Sequence, residues 1–509
     1  MRKISKKLLC PNCQAEDKGA ILIMTLVFTF IFVIVGGGLV SLVNQQQKLN
    51  RIKKAQAQAL HIAESGVNYY RWHLAHDIDD YGDGTGGNCD SVTPCVHSYP
   101  SGDPIGQFSL EIIPPATGST VVTIKSTGWI NEFPNYKRIV LAKYGRSALT
   151  KYAVVANNSM RFGEGTVIHG PVHANGGIRF DGTAYNEITS AQESYDDPDH
   201  DDQGEELEEF GVHTHSIDGS GQMDPLPPAA VPKRLDVFAG GRKFPVPTVD
   251  FDAITLNLSE LETAAEDNGL HLNKSNQRGW HIQLFDNGTL RYSKVKTVNN
   301  CVYMSGSDLI SVSDGFPAAY QGNWTTADYP ANGIIFAADN VWVDGKINDA
   351  HLTIVAAEDP LASGDSDIWI NNDIEYTNYD GTDAVGLIAQ NNINIGLRSE
   401  GDFLGTEDLT ELRIDAALVA QKGRVGRFYY PADCSSDYYQ RNKITVFGTI
   451  ATNQRYGFSW NCGGTYCSGY QDRQINFDNY LSFTPPPLFP TGNVYEFISW
   501  EEILEDETY

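Results

Sequence analysis

The chain has 509 residues, a formal charge of −27 and a pI near 4.7. That length can bury several cores and argues for more than one domain. So acidic a balance excludes nucleic acid as a partner, and it argues against an anionic lipid surface as partner of the main body.

The first landmark is Gly19 to Val43, 25 positions without a charge. At about 1.5 Å of rise per residue this run is long enough to cross a bilayer as a helix. Arg2, Lys3, Lys6, Lys7 and Lys18 precede it and read as a cytoplasmic flank; Lys48, Arg51, Lys53 and Lys54 follow it. The run is longer than the core of a secretory signal and has no small-residue cleavage site before a turn. A single-pass membrane protein with its large acidic body outside the cytoplasm is the expected arrangement. Cys10 and Cys13, in CPNC, are half of a zinc site; no second CxxC exists, and an inert leader is the simpler reading.

The apolar run continues without a breaker into a polar segment. There Leu42, Leu49, Ile52, Ala59, Ile62, Ala63, Val67 and Tyr70 recur at helical spacing. One helix of about 55 residues is predicted, ending before the glycine-rich 81–88. Gly36, Gly37 and Gly38 either weaken the helix locally or allow close packing of neighbouring helices. Within 106–143 three alternating runs, GQFSLEII, STVVTIKSTGWI and YKRIVLAKY, predict a small antiparallel sheet against this helix.

A different pattern follows. Short apolar runs end on an alanine and then a polar corner, keyed on Ala156, Ala174, Ala337, Ala389 and Ala420, with weaker copies at Ala356 and Ala451. Gaps of 18, then 19, 33, 31 and 31 residues suggest stacked rungs of a parallel β-solenoid. Small corner residues suit rungs about 4.8 Å apart. A β-sandwich is the alternative. Between the two groups lie ten acids from Glu193 to Glu209, which lack a calcium-loop spacing and read as an exposed acidic loop. His200, His213 and His215 have metal-ligand chemistry, but sequence alone identifies no third partner for the HxH pair. PLPPAAVPKR and KFPVPTVD read as linker, 258–266 as a helix, and WHIQLFDNGTLRYSKV as a hairpin turning on Asn287-Gly288. The aromatic, proline-rich C-terminus is expected to cap the solenoid end.

Cys89/Cys95 and Cys462/Cys467, each at short separation in Gly/Ser/Thr-rich loops, are expected to form local disulfides in an oxidising exterior. Cys301 with Cys434 follows by elimination. No GxSxG, GxxxxGK[ST] or HExxH motif occurs. Asp339, Asp344, Asp349 and Asp373 are the acids a carbohydrate enzyme would draw on; corner hydrogen bonding is their simpler role.

Lys18-Gly19 before the apolar run, the run itself, and the continuation ALHIAESGVNYY with Ala63-Glu64-Ser65-Gly66 together resemble the type IV pilin superfamily. The resemblance is closest to PilX-type minor pilins and related pilus assembly proteins. It covers residues 1–80 and loosely the sheet to 150. It implies removal of the leader by a prepilin peptidase after Gly19, leaving Ala20 as the mature N-terminus. The fifth mature position, acidic in major pilins, is Met24, which fits a minor component. It also implies assembly through a shared helical bundle, with Glu64 and Gly66 in the packing helix.

The expected map is then a leader at 1–19, membrane and stalk helix at 20–80, and a membrane-proximal β domain at 81–150. First rungs with the acidic loop follow at 151–240, an α+β insertion at 241–300, solenoid repeats at 301–453 and an aromatic cap at 454–509. The expected function is a non-enzymatic minor pilin-like protein of pilus assembly or adhesive display. Its expected partners are the membrane, other pilins with their assembly machinery, and a surface glycan or protein. No cofactor, metal or catalytic residue is expected. The alternatives are a membrane-anchored envelope protein outside any pilus and a polysaccharide-active β-helix enzyme.

Overall fold

The computed structural model describes residues 18–84, 87–115, 120–148, 151–200, 207–249, 251, 258–399, 411–463, 465–482 and 484–503. Leader residues 1–17, with Cys10 and Cys13, lie outside them. Two compact units emerge. One comprises Met1–Ile113, Ile124–Ala142 and Ser499–Tyr509; the other Pro114–Thr123 and Lys143–Ile498.

The first unit is built on one helix, α1 (Lys18–Leu74), 57 residues long. Its apolar half is exposed from Ile21 through Val43 and is long and apolar enough to cross a membrane. Its second half buries a single face, Ala55, Ala59, Ile62, Ala63, Val67, Tyr70 and Leu74, at intervals of three and four residues. That face meets a five-stranded sheet of Cys95–Tyr99, Gly106–Ile113, Val121–Ile130, Phe133–Ala148 and Thr491–Ile503, in that spatial order. Burial alternates along Val121–Ile130, as a sheet with one covered face requires. The fifth strand corrects an expectation: residues 491–503, predicted to cap the repeats, pair instead at the edge of this sheet. Ile503 packs on Ile139 and Leu141, while Phe497 and Trp500 stay exposed.

The second unit is mainly β with parallel sheets. One ladder joins ten strands in parallel, with register partners Leu272, Ala337, Ala356, Ala389, Ala420, Thr452, Ala156, Ala174 and Ser190 running along it. The strand Arg242–Lys243 closes that end. A second parallel ladder aligns Trp280, Val341, Ile368, Ile393 and Val425. A third aligns Gly345, Ile374, Ile414, Val446, Ile475, Ile168 and Ala184. At a corner, Asn157 donates to Asn453 and Asn175 donates to Asn157, both at 2.8 Å. These amides satisfy each other where the backbone turns away from its ladder.

Two sequence expectations change here. The keyed Ala451 is one residue off register. Thr452 occupies the ladder position, and Ala451 points to the opposite face with Val155 and Val419. The physical reason is the two-residue side-chain period of a strand, which sends neighbours to opposite faces. Leu270–Leu272 and Gly279–Phe285, assigned to an insertion, pair in parallel with Ile334–Ala337 and Val341–Ile347 and therefore extend the ladders. The hairpin at Asn287-Gly288 is present: Gly288 has φ +81, and Asn287 Oδ1 accepts the Thr289 hydroxyl at 2.7 Å.

The outer face of the first ladder is covered by α2 (Leu258–Asn268) through Leu258, Leu261 and Ala265, and by Leu481 and Phe489. The Pro487 carbonyl accepts the Thr353 hydroxyl at 2.5 Å. The proline-rich segment thus lies along a face of the ladder, not across its end.

Candidate functional site

On α1, Lys18, Gly19 and Ala20 form the first residues of the helix. Met24 is exposed, and an added Cβ at Gly36, Gly37 or Gly38 meets nothing within 4 Å. Glu64 lies 3.0 Å from His61 Nδ1 on a largely exposed face. Gly66 faces inward, where a Cβ would come within 2.3 Å of Ser126 Oγ and 2.8 Å of a Phe108 ring carbon. The four glycines therefore divide into one held against the sheet and three left open.

The cysteines join as Cys89–Cys95, Cys301–Cys434 and Cys462–Cys467. Cys301–Cys434 sits among Leu397, Tyr430 and Phe428 and ties the long strand Thr289–Ser305 to the stack. Cys462–Cys467 closes the antiparallel turn of Ser459–Cys462 with Thr465–Phe477, which carries Trp460.

Trp460 lines a groove of about 1240 Å³ together with Arg161, Asp199, Arg424, Tyr456 and Arg473. Arg424 stacks at 5.4 Å from the Phe428 ring and 5.7 Å from Trp460. Burial depresses the pKa of Arg424 and of Arg473. Asp199 is held by Arg161 at 3.7 Å and by Arg455. Aromatic faces beside fixed charges offer a stacking platform and hydrogen-bond partners to a polar, ring-shaped ligand. Asp339, Asp344 and Asp373, by contrast, are engaged within the scaffold. Asp339 accepts from Ser275 N and Oγ, Asp344 from His281 and Gln283, and Asp373 from Arg413 N. Asn378 Nδ2 lies 3.3 Å from Asp349 Oδ1.

The acidic stretch contains a second feature that sequence reading missed. Ser194–Asp196 pairs antiparallel with Glu208–Phe210, and Val212–His213 pairs in parallel with Ile178–Arg179. This brings Asp197, His200, Glu209, His213 and His215 together. His200 Nδ1 is 2.5 Å from Glu209 Oε1, and His215 Nε2 is 3.6 Å from the same oxygen. His213 Nε2 lies 3.5 Å from Asp197 Oδ2. Burial pushes His215 down to about 4. Burial opposes ionisation of Asp197, yet contact with His213, the Asp199 N–H and Arg179 together hold it well below the usual carboxylate range. A cavity of about 170 Å³ opens beside these groups, lined also by Met223 and Asp224, and His215 borders both it and the groove. The three histidines stood out in the sequence. Glu209 did not, because it is one of ten acids in a run and only strand pairing selects it.

No family model matches the chain, and no curated protein matches it by sequence. Among solved structures, the competence-associated pilin ComZ from Thermus thermophilus aligns over 89% of this chain and 98% of that chain, with 13% identity and a TM-score of 0.28.

Proposed function

We propose that the chain is a non-enzymatic, PilX-type minor pilin-like protein whose body is a β-solenoid displayed outside the membrane. The observation that carries this reading is the division of α1. One continuous helix leaves its apolar half wholly exposed and buries a single face of its other half on a sheet. An exposed apolar surface of that length needs lipid or other helices around it. Lipid serves before assembly, and a helical bundle replaces it afterwards. The open glycines Gly36–Gly38 give that bundle a place for close approach. The groove at Trp460 suits a glycan or protein ligand on a target surface. The engaged state of Asp339, Asp344 and Asp373 supports the non-enzymatic reading.

N-terminal sequencing of the cell-associated protein tests the proposal. An amine at Ala20, lost when Gly19 is replaced by a bulky residue, is expected. An intact Met1 on the membrane-bound protein would instead make it a plain anchored envelope protein. Hydrolysis of a polysaccharide by the purified chain would overturn the non-enzymatic assignment.

A further inference from the structure

We propose that His200, Glu209 and His215 bind one divalent transition-metal ion of the zinc class, with His213 as the nearest further donor. The donor atoms of His200, Glu209 and His215 lie within 4.8 Å of one another. A tetrahedral ion with ligands at about 2.0–2.1 Å sets its donors roughly 3.4 Å apart. His215 and Glu209, at 3.6 Å, already stand near that spacing, while His200 and Glu209, hydrogen-bonded at 2.5 Å, would exchange that bond for the metal and open by about one ångström. Glu209 is oriented for the task. Its Oε2 accepts the Asp197 N–H at 3.1 Å, which leaves Oε1 facing the two imidazoles.

His213 supplies an independent observation. Its Nδ1 lies 3.3 Å from the Phe210 carbonyl, which can only accept, so Nδ1 carries the proton. In the neutral ring Nε2 is then a lone pair. That atom is buried, makes no hydrogen bond, and sits 3.5 Å from a carboxylate oxygen. A proton on Nε2 or a metal ion beside it would satisfy this pair, and only the metal would also serve the neighbouring donors His215 and Glu209. A ring nitrogen fixed by a backbone carbonyl, with its other nitrogen directed at a cluster of donors, is the arrangement that orients metal-ligating histidines. Asp197 is a positioning residue and not a ligand, because Arg179 (3.5 Å) and the Asp199 N–H (3.1 Å) already occupy its oxygens.

The donor set decides the metal. Imidazole nitrogens with one carboxylate suit zinc, nickel or copper; calcium and magnesium require an all-oxygen shell. The cavity beside the cluster leaves room for water or a ligand atom in an open position. The ion would tie His200 and the strand Glu208–Phe210 to His215. It would thereby fix one border of the groove.

Isothermal titration of the chelator-treated full chain in detergent tests this, using ZnCl2 with CaCl2 as control. A Cys10→Ser/Cys13→Ser background removes the other candidate zinc donors. One equivalent of zinc, no calcium binding, and a zinc-dependent rise in Tm are expected, with cobalt giving the visible bands of a tetrahedral site. Removing an outer partner of a metal ligand typically weakens binding about 10–100-fold, so losing a ligand should reach at least the upper end of that range. His215→Ala should show it. So should His200→Gln, which alters a partly exposed side chain and keeps the fold. Absence of zinc binding, or zinc binding unchanged in both variants, would overturn the proposal. Since none of this depends on α1, failure here leaves the pilin-like reading untouched.

Discussion

Gly66 of the helix and Ser126 of the sheet are so close that a methyl group on the glycine would lie 2.3 Å from the serine hydroxyl oxygen. Gly128 makes the reciprocal approach, its absent Cβ falling 2.3 Å from the Ala59 carbonyl. Helix and sheet thus meet backbone to backbone. Gly66→Ala should destabilise the first unit by about 1–3 kcal/mol through overpacking. Gly37→Ala, in open space, should leave it unchanged or slightly more stable, because alanine is the better helix former. Denaturant unfolding of the two variants in detergent checks the contrast; equal effects would refute it.

The disulfide Cys301–Cys434 closes a sequence separation of 133, against 5 for Cys462–Cys467. By loop-closure entropy the first should contribute about 4–5 kcal/mol and the second markedly less. The double variant Cys301→Ala/Cys434→Ala should therefore lower Tm more than Cys462→Ala/Cys467→Ala. Differential scanning calorimetry on both decides it, and the reverse order would contradict the account.

Asp478 is buried, and burial raises its pKa to about 6, with the charge of Asp415 acting in the same direction. An acid whose folded pKa lies above its unfolded value stabilises the fold fully below about pH 4, and that contribution is lost as pH rises through about 6. A rise from the usual carboxylate value to about 6 is worth about 3 kcal/mol. Asp478→Asn keeps an acceptor for the Tyr480 N–H, now bonded to Oδ1 at 2.9 Å. The variant should match the natural chain near pH 4 and exceed its stability at pH 7. Urea midpoints from pH 4 to 8 give the comparison, and parallel curves would rule out a titrating Asp478.

Along the first ladder Ala389 lies between Ala356 and Ala420 in register, all three fully buried. Adjacent strands are only about 4.8 Å apart, so a larger side chain cannot move sideways without meeting its neighbours. Ala389→Leu should cost about 1–3 kcal/mol. Thermal unfolding measures it, and an unchanged Tm would show that the interior there has room to spare.

The alanines were legible because each is small, buried and followed by a polar corner. Ala451 misled because Ala451 and Thr452 are both small, and only the register distinguishes the inward from the outward one. The pairing of Ile450 with Val154 was not legible at all. Periodicity marks a strand but not which strand lies beside it. Likewise nothing local in 491–503 points to its partner strand, which lies far back in the chain. The helix was the easiest element, since its apolar run and its stripe of buried residues are both local.

The Asn157–Asn453 contact joins residues 296 positions apart, and the strands beside it pair in parallel. The early strands therefore have no neighbour on that side until the late ones exist. At translation rates of about 5–20 residues per second, the segment around Val154 waits roughly 15–60 s after synthesis for its partner. During that interval its strand edge is open to any passing chain. A chaperone that covers this edge during the wait would then raise the yield of native protein without changing its final stability.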